Sequence, residues 1–196
     1  MKLRSLTAKR AGRVALAGIP VGIVAGLLMT GVANGAVPVA FTVSGSTFQV
    51  AASQLEGTGF SQYAGTVTLK DGSTHPVSVA NIASAKLYDL CQSVTVPGMP
   101  VGLKITAGGG GTPATATNMQ IGMTDLQGDA TFNNIRIGVD ASTVNTDAKG
   151  SVGDFAQDAD SVEIKNLKQT AWSTQASVFN LAGLHLQLTD GKTTCF

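Results

Sequence analysis

Residues Asn118–Val139 read NMQIGMTDLQGDATFNNIRIGV, and the reading of this stretch decides the fold. Met119, Ile121 and Met123 alternate with Gln120, Gly122 and Thr124. Phe132, Ile135, Ile137 and Val139 follow with polar residues between them. Apolar positions two apart belong to a half-buried strand, because successive side chains of a strand point to opposite faces. The intervening Leu126-Gln127-Gly128-Asp129 has turn chemistry, so the stretch predicts strand, turn, strand. It holds no nucleophile with its base, no metal-ligand cluster and no phosphate-binding loop.

The same pattern recurs outward from there. Val37–Val43 and Thr47–Ala51 read as strands, and Gly57-Thr58-Gly59 reads as a turn. Gly65–Lys70 and His75–Ala80 flank Asp71-Gly72, a pair that favours a tight hairpin. Ile82–Val96 fits one helical turn or a strand equally. Val101–Ala107 is a strand, and Gly108–Gly111 with Thr112-Pro113 is a solvent loop. That glycine run lacks both GxxxxGK[ST] and a GxGxxG that opens a helix, so it is no phosphate cradle. The small, polar Ala141–Asp160 reads as a long surface loop. Ser161–Leu167, Thr170–Phe179 and Leu184–Leu188 read as closing strands.

Four segments share one phrase: apolar, polar, apolar, a few small residues, then Leu or Ile. They run from Phe48 to Leu55, Val77 to Ile82, Met119 to Leu126 and Val162 to Leu167. Two meanings fit. The phrase can mark stacked units of a solenoid or β-roll, or only half-buried strands that alternate and end in turns. Both give an all-β domain of short strands, as a β-sandwich or an irregular roll, with little helix after the N-terminal segment.

Composition narrows the functional classes. The chain has 196 residues, only 13% of them charged, and 24 glycines. The basic residues Lys2, Arg4, Lys9, Arg10 and Arg13 crowd the first thirteen positions without an acid. Beyond them, eight basic residues face twelve acids, a body of about −4. Such a body has no basic patch for nucleic acid. The basic start precedes the charge-free, apolar Val14–Val32 and the small residues Ala33–Ala36, the plan of an export signal. The apolar run also approaches the ~20 residues that cross a bilayer, so an uncleaved anchor is the other reading. Either one places residues 37–196 outside the cytoplasm, secreted or tethered by residues 1–36.

Export bears on the two cysteines, Cys91 and Cys195, which favour a disulfide in an oxidising compartment. No CxxC occurs, and neither His75 nor His185 has ligand spacing to a cysteine, which argues against zinc or redox chemistry. No cofactor motif is present. A serine hydrolase of the α/β type needs GxSxG at a strand–helix elbow, and no serine has that setting. The only hydrolytic set the residues offer is His185 as base with Asp190 and Ser173, since triads are defined by geometry and not by chain order. His185 lies between Leu184 and Leu186 and so belongs to the opposite strand face. His75, beside Asp71-Gly72 and Pro76, reads as a turn residue. Asp154, Asp158 and Asp160 in the polar loop are a weak calcium candidate without the EF-hand pattern. Trp172, the sole tryptophan, and the alternating apolar faces leave core or a lipid-binding groove as alternatives.

Several phrases resemble a family of exported actinobacterial proteins of the Streptomyces type, of unknown function and often labelled "cholesterol esterase". They are Gly57–Phe60, Leu90–Val94, Ala107–Pro113, Gly128–Phe132, Gln157–Val162, Lys168–Trp172 and Cys195-Phe196. The resemblance implies pairing of Cys91 with Cys195, because both lie in shared phrases. It also implies a multi-span membrane protein as partner, since genes of the family often sit beside one. The resulting expectation is a non-enzymatic, lipid-associating envelope protein, with a secreted hydrolase of sterol or fatty esters as the alternative.

Overall fold

The computed structural model describes residues 42–196, so the expected signal or anchor segment lies outside the described residues. The described chain is all-β. Its strands are β1 (Thr42–Val43), β2 (Phe48–Leu69), β3 (Thr74–Tyr88), β4 (Leu90–Thr95), β5 (Gly102–Ala107), β6 (Ala114–Asn133), β7 (Arg136–Asp140), β8 (Phe155–Gln175), β9 (Val178–Asn180) and β10 (His185–Thr189). One 3-10 turn, Ala141–Thr143, is the only helical element among the described residues.

Four long antiparallel strands form a ring. β2 pairs with β3, β3 with β6, β6 with β8, and β8 returns to β2. A sheet closed on itself must stagger its register. Here the row that leaves β2 at Gln62 passes Ala80, Ile121 and Thr174, and returns beyond the Phe48 end of β2. The result is a steeply wound, barrel-like domain. It is neither a two-sheet sandwich nor a stack of parallel turns, which corrects both expected architectures. The four repeated phrases fall one on each ring strand, as antiparallel neighbours and not as solenoid units.

A ring of so few strands encloses a narrow interior. Small residues fill much of it: Ala52, Ala80, Ala85, Ala116, Ala159 and Ala171 are buried beside Leu55, Ile82, Met119, Ile164 and Leu167. The tilted contact of Phe60 with Phe132, 5.3 Å between ring centres, is an exception in this aromatic-poor core.

The expected strand boundaries fail where strands run on. Leu126–Asp129 does not reverse the chain; it lies within β6, with a register shift between Gln127 and Asp129. Gly128 has φ of 154°, and a Cβ there would sit 2.8 Å from the Lys165 carbonyl oxygen. The glycine admits the close approach of β8 at a bulge, the other use of glycine inside a strand. The reversal comes later, at Asn134 (φ 54°). Gly57–Gly59 is likewise no turn, because Thr58 faces both Ser84 and Ser161 inside β2. The undecided Ile82–Val96 is strand, kinked at Asp89 (φ 50°) between β3 and β4. The hairpin at Asp71-Gly72 is present, with Asp71 accepting from the Ser73 backbone and hydroxyl.

Residues 141–154 do form a connection, but a packed one, and residues 155–160 belong to β8. Ala141 and Val144 bury against Tyr63 and Ala156 on the outer face of the ring. Thr146 reaches Ser61, 2.5 Å between hydroxyls. From Ser61 a hydrogen-bonded row crosses the strands through Asn81 and Gln120 to Gln175. Buried polar side chains in one satisfied row specify a single register, since a slip would orphan all of them.

Candidate functional site

The chain continues β3 into β4, which stays paired with β2 over Cys91–Ser93; its other edge pairs with β5, and β5 pairs with β10. Facing residues of antiparallel strands share a face. One face of this three-stranded extension is polar: Cys91, Ser93, Lys104, Thr106, His185 and Gln187 fall on it. The C-terminal tail crosses that face. Cys195 forms a disulfide with Cys91, its backbone N–H donates to Ser93 Oγ (3.0 Å), and Lys104 Nζ donates to the Thr194 carbonyl (3.3 Å).

The opposite face is apolar, and nothing among the described residues covers it. It begins in the core at Leu90 and Ala107, which face each other and are buried. The next row is Gln92, Ile105, Leu186, and the one after is Val94, Leu103, Leu188. Exposure rises outward, from 54% at Leu186 to 75% at Leu188. Leu184, two positions before Leu186, is also exposed. No ionisable side chain lies in these rows. Single exposed leucines are ordinary, but a contiguous apolar face held flat by paired strands marks an interaction surface.

Where this face meets the core, a cavity of about 20 Å³ lies among Val50, Leu87, Gln92, Leu167, Gln169 and Thr174. Gln169 Nε2 and Thr174 Oγ1 are buried there without a partner. That volume holds about one water, which has the hydrogen bonds to satisfy both.

In the other direction along β2, the interior face continues past Phe60, Ala80 and Ala159 to Gln62, Ser78 and Gln157. Gln62 faces Gln157, and Ser78 lies diagonally across from Gln62, two positions from its partner Ala80. Gln157 Nε2 donates to Gln62 Oε1 (2.6 Å), and Gln62 Nε2 donates to Ser78 Oγ (2.7 Å). With Tyr63 and Phe155 they line an open cleft of about 260 Å³.

The residues singled out from the sequence take up different partners. His185 is exposed on β10 opposite Thr106, on the face away from Leu186, as its place in the alternation requires. Ser173 is on β8 opposite Gly122. The Asp190 carboxylate accepts from the Lys192 N–H and from the Thr193 N–H and hydroxyl. These bonds, led by that of Lys192, hold its carboxyl below the usual value. No hydrogen bond joins His185, Asp190 and Ser173. His75 is not a turn residue; it lies in β3 and stacks on Trp172, 4.6 Å between ring centres.

The acidic trio is also dispersed. Asp158 is fully buried and accepts from Arg136 Nε (2.8 Å), from Arg136 Nη2 and from the Asn145 N–H (2.7 Å). The Arg136 hydrogen bonds hold its carboxyl below the usual value against a burial that raises it. Asp160 accepts from Asn134 Nδ2. Asp154 lies outside β8, before its first residue. Among the described residues no three metal-ligating side chains converge, and an aspartate committed to a guanidinium is a poor calcium ligand. Gln62 and Gln157 had no signal in the sequence. They come from distant strands, and only the ring brings them together.

A family of unknown function (DUF6230) matches residues 44–196, and the chain belongs to that family. No curated protein and no solved structure matches it.

Proposed function

We propose that this family member is a non-enzymatic envelope protein that lies on a lipid surface outside the cytoplasm through the uncovered face of β4, β5 and β10. The observation that carries the reading is the run of Leu103, Ile105, Leu186 and Leu188 on one charge-free sheet face. Its far side is closed by the disulfide-bound tail, so the extension has one wet face and one apolar face. Lipid is the occupant favoured by position. The basic, apolar N-terminal segment takes the domain to or through a membrane, and the charges of the extension leave it without net acidity: Lys104 and Lys192 oppose Asp190. A multi-span membrane protein, the partner implied by the resemblance, would lie in the same bilayer. The esterase label has no support from the positions of His185, Asp190 and Ser173.

The test is flotation of oxidised residues 37–196 with vesicles of phosphatidylcholine and phosphatidylglycerol. The parent domain floats with the vesicles. Replacing Leu186 and Leu188 together with Ser lowers the bound fraction at least tenfold. Full burial of one leucine stabilises by ~1.5–3 kcal/mol, and 1.4 kcal/mol is a factor of ten. Because both side chains are exposed in the free protein, the melting temperature stays unchanged. A parent domain that remains in solution, or a double variant that floats equally, defeats the reading.

A further inference from the structure

We propose that the cleft at the opposite end of the ring binds one neutral sugar ring of a glycan. It is separate from the apolar face: the lipid surface meets β4, β5 and β10, whereas the cleft is built on β2, β3 and β8.

Three features of its lining point to a saccharide. The first is the absence of charge. Gln62, Tyr63, Ser78, Phe155 and Gln157 supply polar groups and an aromatic ring but no carboxylate or cation. An anionic or cationic ligand would therefore lose its solvation without a counter-charge.

The second is the kind of polar group. A sugar hydroxyl donates and accepts at once, and so do amides and hydroxyls. The hydrogen-bonding capacity of these groups is also only partly spent. Gln157 uses one N–H on Gln62 Oε1, and Gln62 uses one N–H on Ser78 Oγ. Each amide thus retains an N–H, Gln157 retains its Oε1, and Ser78 retains its proton. The bonds already made fix the planes of both amides, so these groups are held in place before a ligand arrives.

The third is Phe155, 65% exposed at the start of β8 and lining the same cleft. A pyranose ring has one face of C–H bonds, which packs on an aromatic face while its hydroxyls turn sideways to polar groups. Ile137, opposite Gln157 on β7 and 66% exposed, is a further apolar side chain next to Gln157. A cleft of about 260 Å³ is small beside drug-sized sites of ~300–1,000 Å³ and suits a single ring projecting from a longer chain.

The experiment is saturation-transfer NMR and calorimetry of the full-length oxidised chain, kept in a detergent without a sugar headgroup. The probes are cellotriose, maltotriose and chitotriose, each to 10 mM. At least one binds saturably, with transfer to the C–H protons of one ring. Phe155→Ala and Gln157→Ala each weaken that binding at least tenfold. The Phe155→Ala change leaves the melting temperature unaltered, since the side chain is exposed. The Leu186→Ser, Leu188→Ser variant binds the sugar like the parent, which separates this site from the lipid face. Absence of binding by all three probes to the folded protein overturns the proposal, and so does binding that survives both cleft substitutions.

Discussion

Reduction of the Cys91–Cys195 bridge is expected to lower the melting temperature by about 10 °C. The cysteines are 104 positions apart. In the loop-entropy model a crosslink closing ~100 residues restricts the unfolded chain by ~4.7 kcal/mol, and strain trims the figure. For a domain of this size each kcal/mol moves the midpoint by ~2–4 °C. The structure adds a local consequence. The tail is held on the polar face of the extension by the bridge, by the Cys195 N–H on Ser93 and by Lys104 on the Thr194 carbonyl. Without the bridge, only exchangeable contacts remain: these two hydrogen bonds, that of Thr95 to the Gly191 carbonyl and the Lys168 ammonium over the Phe196 ring; Ser93, now buried, becomes wet. Calorimetry of the oxidised protein against the Cys91→Ala, Cys195→Ala double variant measures the shift. A change below about 3 °C would show that β4, β5 and β10 stand without the tail.

Gly108→Ala is expected to destabilise by about 3 kcal/mol or more, or to prevent folding. Gly108 has φ of 74°, in the left-handed region, where a side chain costs ~1 kcal/mol or more. A Cβ there would also sit 2.5 Å from the Leu87 carbonyl oxygen and 2.7 Å from the Ala114 nitrogen. Both are backbone atoms at strand ends, so neither can turn aside. Nor can Gly108 move freely: it accepts from the Asp89 N–H (2.9 Å) and donates to the Ala182 carbonyl (2.8 Å). The control is Gly110→Ala. Gly110 also has positive φ (64°) but faces open space, so its loss is limited to the conformational cost of ~1 kcal/mol. Urea melts of the two variants check the contrast, and equal midpoints would mean that the close approach at Gly108 is relieved by a small shift.

That contrast shows what the glycine run Gly108–Gly111 concealed. Its first residue is pinned at the junction of β3, β5 and β6, while Gly109–Gly111 are exposed. Composition treats all four alike. The same ambiguity ran through the ring. Gly57, Gly59 and Gly128 carry turn chemistry, yet they lie within strands of 20 residues or more. Asn134 and Asp89 mark the true reversal and kink by taking positive φ, and nothing in their neighbours distinguishes them from other polar residues. The all-β class, the Asp71-Gly72 hairpin and the side of β10 that His185 takes were legible, because each depends on near neighbours or on a period of two; the disulfide was legible because the chain has only two cysteines to pair. Ring closure was not, because it depends on which strands meet.

The site was legible only in part, for the same reason. Leu184, Leu186 and Leu188 alternate visibly with His185 and Gln187, but alternation does not say which face is wet. In a closed ring the apolar side would be core. It is exposed here because β5 and β10 extend the sheet outward from β4, where no strand among the described residues covers them. Asp158 shows the converse. It sits in a polar, acidic stretch that reads as solvated, and the fold buries it under residues 141–154 with a guanidinium for partner.

The most direct measurement places a reporter on the uncovered face. A Trp172→Phe, Leu188→Trp variant carries its only indole in the outermost row of the β4–β5–β10 extension. A second variant, Trp172→Phe, Val152→Trp, carries it on the exposed connection before β8. Each is mixed with vesicles containing lipids brominated along the acyl chain, which quench only an indole within reach of the bromines. If the apolar face lies in the membrane, the indole at position 188 is quenched and its emission shifts to the blue, while the indole at position 152 shows neither change. Equal quenching at both positions, or none at position 188 with the protein bound, would contradict membrane association through this face.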